Sequence, residues 1–249
     1  MPLLFSHLFN RKIYVKLFKL TLCISFTMAT SSLSAGDVAH SESKVKFDHF
    51  TKIICIGDSI TQGGTLGRPE YSYRLPLYYL ALENDFFIEF IGTRQHGLNQ
   101  AFNWPTHFDR DHEGYYGKNS AYIRNEIIKN LKIIETPDIA IIHIGTNDKD
   151  SVSMQRIVKP TKDIIKALRE KNPKVKVLII QIPGKRKYFY THLWIWLVAM
   201  LNSTYKSPIK TIDLYSNWDA NLYTFDGAHP NIDGQNFMAE RIFTKLQRI

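Results

Sequence analysis

The sequence predicts a three-layer α/β/α domain built around a five-stranded parallel sheet. Short segments rich in Ile, Val or Phe alternate with longer helical segments, and most of the short segments are followed closely by Gly, Pro, Asn or Asp. Strands that are separated by helices form a parallel sheet that is covered on both faces. The predicted strands are residues 52–56, 88–92, 139–144, 175–182 and 209–214.

Five helices are predicted between and after these strands. Pro160 either kinks the third helix or marks its first turn, and Asn231 is a plausible cap of the last one. The apolar run 193–201 is too short to span a membrane, so it predicts a buried helix, with a hydrophobic substrate wall as the minority alternative. The predicted helices are residues 73–83, 120–134, about 154–171, 188–202 and about 233–246.

The first 35 residues have the pattern of a secretory signal peptide. Four basic residues (Arg11, Lys12, Lys16 and Lys19) precede the apolar run 20–28, and small residues follow it. We therefore expect a signal peptide at 1–35, a polar lead segment at 36–51, the α/β domain at 52–249 and a location in the periplasm or outside the cell. An uncleaved anchor is the weaker alternative, because the run falls short of the roughly 20 residues that span a bilayer.

The charge and the cysteines exclude several functions. Cleavage of the signal peptide would lower the formal net charge from +9 to +5. The densest remaining basic cluster, 185–187, lacks a nucleic-acid motif and is read as a solvated loop, so we expect no nucleic-acid partner. Cys23 lies in the signal peptide and Cys55 in the first strand, so the mature chain has neither a disulfide nor a cysteine metal site.

The stretch 53–64, IICIGDSITQGG, contains the candidate nucleophile. Its apolar residues predict a buried strand that runs into a tight turn, and Ser59 follows at the carboxyl end of that strand, where open α/β sheets bind ligands. The alternative is that Asp58 and Ser59 only cap the next helix. Partners elsewhere in the chain must decide between the two.

The segment Asp226-Gly227-Ala228-His229-Pro230 supplies such partners. A serine hydroxyl needs a base, and the base needs an orienting acid. Asp226 can reach back to one ring nitrogen of His229, which leaves the other nitrogen free to face Ser59. A purely structural turn is the alternative for this motif alone.

Acyl transfer also needs donors for the developing oxyanion. Asn147 follows the third predicted strand, so its side-chain amide lies at the same sheet edge as Ser59. The backbone N–H of Gly117 is a second candidate, since a residue without Cβ admits a ligand closely, and the N–H of Ser59 is the third. Taken alone, Asn147 is more often a cap or turn residue.

Together these segments resemble the SGNH, or GDSL, hydrolases. The blocks GDSIT at 57–61, a glycine in the loop after His-Glu-Gly, GTND at 145–148 and DGAHP at 226–230 occur in the family's order. The resemblance implies a flavodoxin-like sheet with strand order 2-1-3-4-5 and a serine esterase without metal or organic cofactor.

The resemblance also implies a role for each site residue. Ser59 would be the nucleophile, His229 the general base and acid, and Asp226 its orienting partner. Ser59, Gly117 and Asn147 would be the oxyanion donors. The choice of Gly117 over Gly114 rests on that alignment.

The His-Glu-Gly loop at 112–114 and His143 resemble the branch of carbohydrate esterases that remove acetyl groups from polysaccharides. We therefore expect a small-molecule or polysaccharide ester as substrate, and no stable membrane span after signal cleavage. A lipolytic enzyme of the lysophospholipase or thioesterase type is the alternative within the family. The oligomeric state is not encoded in any pattern of the sequence.

Two rival functions belong to other classes. A metal-dependent phosphoesterase would take its ligands from the polar residues of the same loops, and a non-catalytic glycan-binding module would stack sugars on tryptophan. The first would use Asp58, His143, Asp148, Asp226 and His229, and the second Trp104, Trp194, Trp196 or Trp218.

Overall fold

A central sheet of six parallel strands organises the fold. A computed structural model describes residues 50–64, 71–98, 104–105, 107–148, 155–183 and 189–249. The predicted signal peptide, nearly all of the lead segment and the basic cluster 185–187 lie outside the described residues. The strands are β1 (Thr51–Gly57), β2 (Ile88–Ile91), β3 (Glu113–Gly114), β4 (Ile139–His143), β5 (Lys176–Ile180) and β6 (Ile209–Ile212).

The strand order confirms the predicted fold class. The sheet runs β2-β1-β4-β5-β6, and every pairing is parallel. Without the two-residue β3, this is the predicted order 2-1-3-4-5. The predicted count of five strands was one too low, because Glu113 and Gly114 form a short strand beside the end of β1. A segment of two residues carries no apolar periodicity, so sequence patterns do not reveal it.

Helices cover both faces of this sheet. The last helix begins as predicted, with the Asn231 side chain accepting a hydrogen bond from the Gly234 N–H at 2.9 Å. Pro160 lies in the first turn of its helix, where a missing N–H costs nothing. The helices are α1 (Ser59–Gln62), α2 (Arg74–Glu83), α3 (Ser120–Asn130), α4 (Val158–Lys171), α5 (Phe189–Asn202), α6 (Ala220–Tyr223) and α7 (Ile232–Leu246).

The core has two apolar layers, one on each side of the sheet. In β1, Ile54 and Ile56 face the layer formed with α3, α4 and α5, whereas Ile53 and Cys55 face the layer formed with α2 and α7. Residues on both faces of β1 are buried, so this strand reads as a continuous apolar run. Burial raises the pKa of Cys55 to about 12, so its side chain is a neutral apolar group, as expected.

Helix α5 departs from the prediction of a buried helix. Its inner side, with Ile195, Val198 and Ala199, joins the core. Its outer side remains exposed at Leu193, Trp194, Trp196, Met200 and Leu201. Among the described ranges, no helix combines the length and the apolar character that crossing a membrane requires.

Candidate active site

Ser59 is placed by a sharp turn from β1 into α1. The Asp58 side chain caps α1 by accepting a hydrogen bond from the Ile60 N–H at 3.0 Å, and Ser59 is the first helical residue. Gly57 is required at the turn, because a Cβ there would lie 2.1 Å from the Thr61 hydroxyl. Asp58 therefore caps α1, as the alternative interpretation proposed. The side chain of Ser59 remains available to contact another residue.

That partner is His229, which lies 170 residues later in the sequence. The distance between Ser59 Oγ and His229 Nε2 is 3.0 Å, and His229 Nδ1 lies 2.8 Å from Asp226 Oδ2. The structure thus brings the three residues into one chain of hydrogen bonds. The rings of Tyr116 and His229 are parallel, with centroids 5.9 Å apart.

The turn that carries His229 also fixes its partner. The other oxygen of Asp226 accepts hydrogen bonds from the backbone N–H groups of His229 at 2.7 Å and Ala228 at 3.0 Å. Burial by itself raises the pKa of Asp226, but these donors and the His229 ring outweigh it and hold the pKa below its usual value. An ionised Asp226 selects the tautomer with its proton on Nδ1, which leaves Nε2 free to accept the Ser59 proton.

The loop after β3 lies beside the serine turn. β1 pairs with β3 and β4 so that Gly57 is level with Gly114 on one side and His143 on the other. The Tyr115 N–H donates to the Gly57 carbonyl at 2.9 Å, and the Tyr116 N–H donates to the Gln62 side-chain oxygen at 2.8 Å. The loops that follow β1, β3 and β4 therefore leave the sheet side by side.

The two glycines of this loop differ in the availability of their N–H groups. The Gly114 N–H donates to His112 Nδ1 at 2.9 Å, so it is already used. Gly117 has a positive φ of 69° and is exposed, and within the described part of the chain its N–H has no acceptor. Of the two, only Gly117 can offer an N–H to a substrate without breaking an existing hydrogen bond.

Asn147 lies next to that loop. Its side-chain amide donates one hydrogen bond, to the Lys118 carbonyl at 3.1 Å. An amide nitrogen carries two hydrogens, so the second remains for another acceptor. The contact also ties the loop after β4 to the loop that contains Gly117.

A buried polar pair lies directly behind the serine turn. His143 Nδ1 is 4.0 Å from Asp58 Oδ1, and both side chains are fully buried. Burial lowers the pKa of His143, with Asp58 opposing that shift, so the ring is neutral near pH 7. Within the described residues, both ring nitrogens and the second Asp58 oxygen lack hydrogen-bond partners.

Several residues of the rival functions have structural roles. Asp148 accepts hydrogen bonds from the Ser120 N–H and hydroxyl at 3.0 and 2.7 Å, at the start of α3. Among the described residues, no three His, Cys, Asp or Glu side chains cluster as metal ligands. Trp104 is buried and stacks on Phe108, whereas Trp218 packs against Phe237.

Gln62 and Tyr116 were missed by the sequence analysis. Gln62 holds the loop that carries Gly117, and Tyr116 flanks the imidazole of His229. The one available signal is the position of Gln62, three residues after Ser59 on the same short helix. No comparable signal marks Tyr116.

Comparison with known proteins identifies the family of this chain. Residues 55–237 match the model of the GDSL-like lipase/acylhydrolase family. A multidomain esterase from Ruminococcus flavefaciens is 27% identical in an alignment of 215 residues, and the match covers 76% of this chain. The chain spans only 27% of the length of that relative.

Two solved structures share the fold. A carbohydrate esterase family 3 protein from Talaromyces cellulolyticus has a TM-score of 0.67 at 24% identity, covering 80% of this chain and 97% of the other. A family 3 carbohydrate esterase from Clostridium thermocellum has a TM-score of 0.66 at 23% identity, covering 79% and 94%. The family match extends from β1 into α7, and so the chain belongs to the GDSL-like lipase/acylhydrolase family.

Proposed function

We propose that the protein is a serine esterase that hydrolyses carboxylic esters through an acyl-enzyme. The observation that carries this proposal is the contact of 3.0 Å between His229 Nε2 and Ser59 Oγ, with Asp226 hydrogen-bonded to the far side of the ring. A nucleophile, a base and an orienting acid in this arrangement are what acyl transfer by serine requires.

In the proposed reaction, Ser59 Oγ bonds to the ester carbonyl carbon while His229 Nε2 takes the hydroxyl proton. The tetrahedral intermediate then collapses, and the alcohol leaves with that proton. Water, deprotonated by His229, then attacks the acyl-serine; the bond to Ser59 Oγ breaks as Oγ takes the proton back from His229, and the acid is released. Asp226 stays ionised and stabilises the imidazolium in both steps.

The oxyanion would be stabilised by the N–H groups of Ser59 and Gly117 and by the free amide hydrogen of Asn147. In support, the loops that carry these groups follow adjacent strands of the sheet. The N–H of Gly114, in contrast, already donates to His112 Nδ1. Each well-placed donor typically contributes about 3 to 4 kcal/mol to transition-state stabilisation.

We further propose acetyl groups on carbohydrate as the substrate class. Besides Ser59 and His229, the crevice at the site is lined by Ile60, Gly63, Ser72, Pro230 and Gln235, and it encloses only about 10 Å³. A crevice this narrow has no room for a long acyl chain, which favours a short one. The structures that share the fold include an acetyl esterase and family 3 carbohydrate esterases, which favours the same class.

Kinetics on a series of esters test this proposal. We expect 4-nitrophenyl acetate to be cleaved with a higher kcat/KM than the octanoate, and acetate to be released from acetylated xylan. Ser59→Ala should lower kcat by about 10⁴-fold or more, with an unchanged circular dichroism spectrum. Near-normal turnover by that variant would refute the nucleophile, and a preference for the octanoate would replace acetyl with the lipolytic alternative.

We also infer that the protein acts in the periplasm or outside the cell after removal of residues 1–35. The support is the order of basic, apolar and small residues at the amino terminus. Amino-terminal sequencing of the protein isolated from its producing cells should begin at Gly36 or Ala35. An intact Met1 on the exported protein would contradict cleavage.

A further inference from the structure

The outer side of α5 is an apolar surface without charge. The helix contains no Asp, Glu, Lys or Arg in its fourteen residues. Soluble helices usually expose a polar side, so an uncharged helix is expected in a core. Here the side chains of Trp196 and Leu201 are 47% and 74% exposed. Together with Leu193, Trp194 and Met200, they form a continuous stripe along about two and a half turns of the helix.

A groove borders this stripe on the side of α4. It holds about 510 Å³, and half of its lining residues are apolar, including Val158, Leu197 and Leu201. Lys159, Lys162 and Asp163 are its charged lining residues. A contiguous exposed apolar area with a polar rim marks an interaction site.

Helix α4 gives this rim a positive charge. Residues 155–171 contain six basic and two acidic side chains. Lys159 shares Asp163 with Arg124, and Lys166 pairs with Glu170 at 3.8 Å. Lys162 is exposed, and no carboxylate of the described residues pairs with it. We call this combined surface the α4–α5 face; it consists of Leu193, Trp194, Trp196, Met200 and Leu201 on α5 with Lys159, Lys162 and Lys166 on α4.

We propose that the α4–α5 face docks the protein onto the surface of an anionic phospholipid bilayer. Tryptophan favours the boundary between headgroups and acyl chains, where its ring is buried and its N–H stays hydrated. Lysines beside such an apolar stripe attract anionic headgroups. A second copy of the chain fits less well, since a two-fold contact through this face would bring the same lysines together.

Docking in this way leaves the candidate active site open. Ser59 lies in the loops at the carboxyl edge of the sheet, whereas α5 packs on one of its faces through Ile195 and Val198. The inference therefore does not depend on the proposed function. A substitution that weakens binding to vesicles should leave the hydrolysis of a soluble ester unchanged.

Vesicle flotation with the full chain tests the proposal. We compare vesicles of phosphatidylcholine with vesicles that also contain phosphatidylglycerol, at low and high salt. We expect stronger binding to the anionic vesicles than to the neutral ones, and weaker binding at high salt. Leu201→Gln should weaken it about tenfold, because the leucine side chain no longer enters the apolar layer. The matched control is Ile133→Gln, which changes an apolar residue of similar exposure on another surface and should bind like the parent protein.

A second pair of variants tests the charge. Lys162→Gln with Lys166→Gln should weaken binding about thirtyfold, whereas Lys129→Gln with Lys132→Gln, also exposed, should have little effect. The amino-terminal residues are identical in all variants and contribute an equal background. Equal binding to neutral and anionic vesicles, equal effects of the paired variants, or a dimer in light scattering that Leu201→Gln dissociates would each overturn the proposal.

Discussion

At the scale of single residues, Asp226 determines how the imidazole is held. One of its oxygens accepts two backbone N–H groups and the other faces His229 Nδ1. The carboxylate therefore both builds the turn and selects the ring tautomer. An asparagine side chain at this position can still accept the hydrogen bonds of the turn. It cannot select the ring tautomer, because its NH₂ group is not an acceptor for the Nδ1 proton.

We predict that Asp226→Asn lowers kcat on 4-nitrophenyl acetate by about 10² to 10⁴-fold, because the wrong imidazole tautomer would face Ser59. The thermal unfolding temperature should change little, since the amide oxygen can still accept the two backbone hydrogen bonds. The control is Asp233→Asn, which alters a carboxylate in the first turn of α7. Unimpaired turnover by Asp226→Asn would contradict the orienting role.

At the scale of elements, the two-residue strand β3 depends on Glu113. Its buried carboxylate accepts hydrogen bonds from the N–H and hydroxyl of Thr93, both at 2.6 Å, and from Tyr115 at 2.5 Å and Asn130 at 3.0 Å. Burial raises the pKa of Tyr115, and the neighbouring Glu113 carboxylate adds to that shift, so the phenol remains a donor. This network anchors the segment that leads to Gly117.

We predict that Glu113→Gln destabilises the protein by about 2 to 4 kcal/mol. The NH₂ group that the substitution introduces would face the Tyr115 hydroxyl and the Asn130 amide, which both donate to the carboxylate. Two buried hydrogen bonds would therefore be lost. Urea unfolding measures the loss, and Glu126→Gln, on the more exposed side of α3, is the matched control. Equal unfolding midpoints for Glu113→Gln and the parent would show that the network does not support β3.

Local patterns revealed the parts of the site that lie within one short segment. The turn at Ser59 and the turn that joins Asp226 to His229 are each encoded by neighbouring residues. The hydrogen bond between Gln62 and Tyr116 joins residues 54 positions apart, and neither residue lies in a periodic pattern. Such contacts depend on how the loops pack, which propensity does not encode.

The exposure of α5 escaped prediction for a related reason. Its apolar run predicts burial on every side, and the core covers only the side with Ile195 and Val198. Whether a helix side is covered depends on the elements beside it. The strand order, in contrast, followed from the family resemblance and was confirmed by the pairings of β1, β4, β5 and β6.

At the scale of the whole molecule, three histidines among the described residues are held neutral by burial. Burial lowers the pKa of His112 well below its usual value, with Arg74 and Arg94 adding to the effect. Burial also lowers the pKa of His143, although Asp58 opposes that shift. It lowers the pKa of His192 as well, although the hydrogen bond to the Ile182 carbonyl opposes it. Each ring must gain a proton when the chain unfolds in mild acid.

We predict that the free energy of unfolding falls as the pH drops from about 7 to about 5.5. The folded-state pKa lies below the unfolded value of about 6.5, so the unfolded chain binds more protons, and each histidine contributes up to about 1.4 kcal/mol per pH unit. Urea midpoints across this range measure the slope. His192→Gln should reduce it, and a midpoint that stays constant or rises on acidification would contradict the account.

The account as a whole rests on Ser59 being a nucleophile activated by His229. The most direct measurement is reaction of the full chain with a fluorophosphonate, followed by mass spectrometry of the peptides. We predict one phosphonyl adduct, on Ser59, formed with loss of esterase activity and absent from His229→Ala. An adduct on another serine, or full hydrolysis of 4-nitrophenyl acetate by protein that carries the adduct on Ser59, would contradict it.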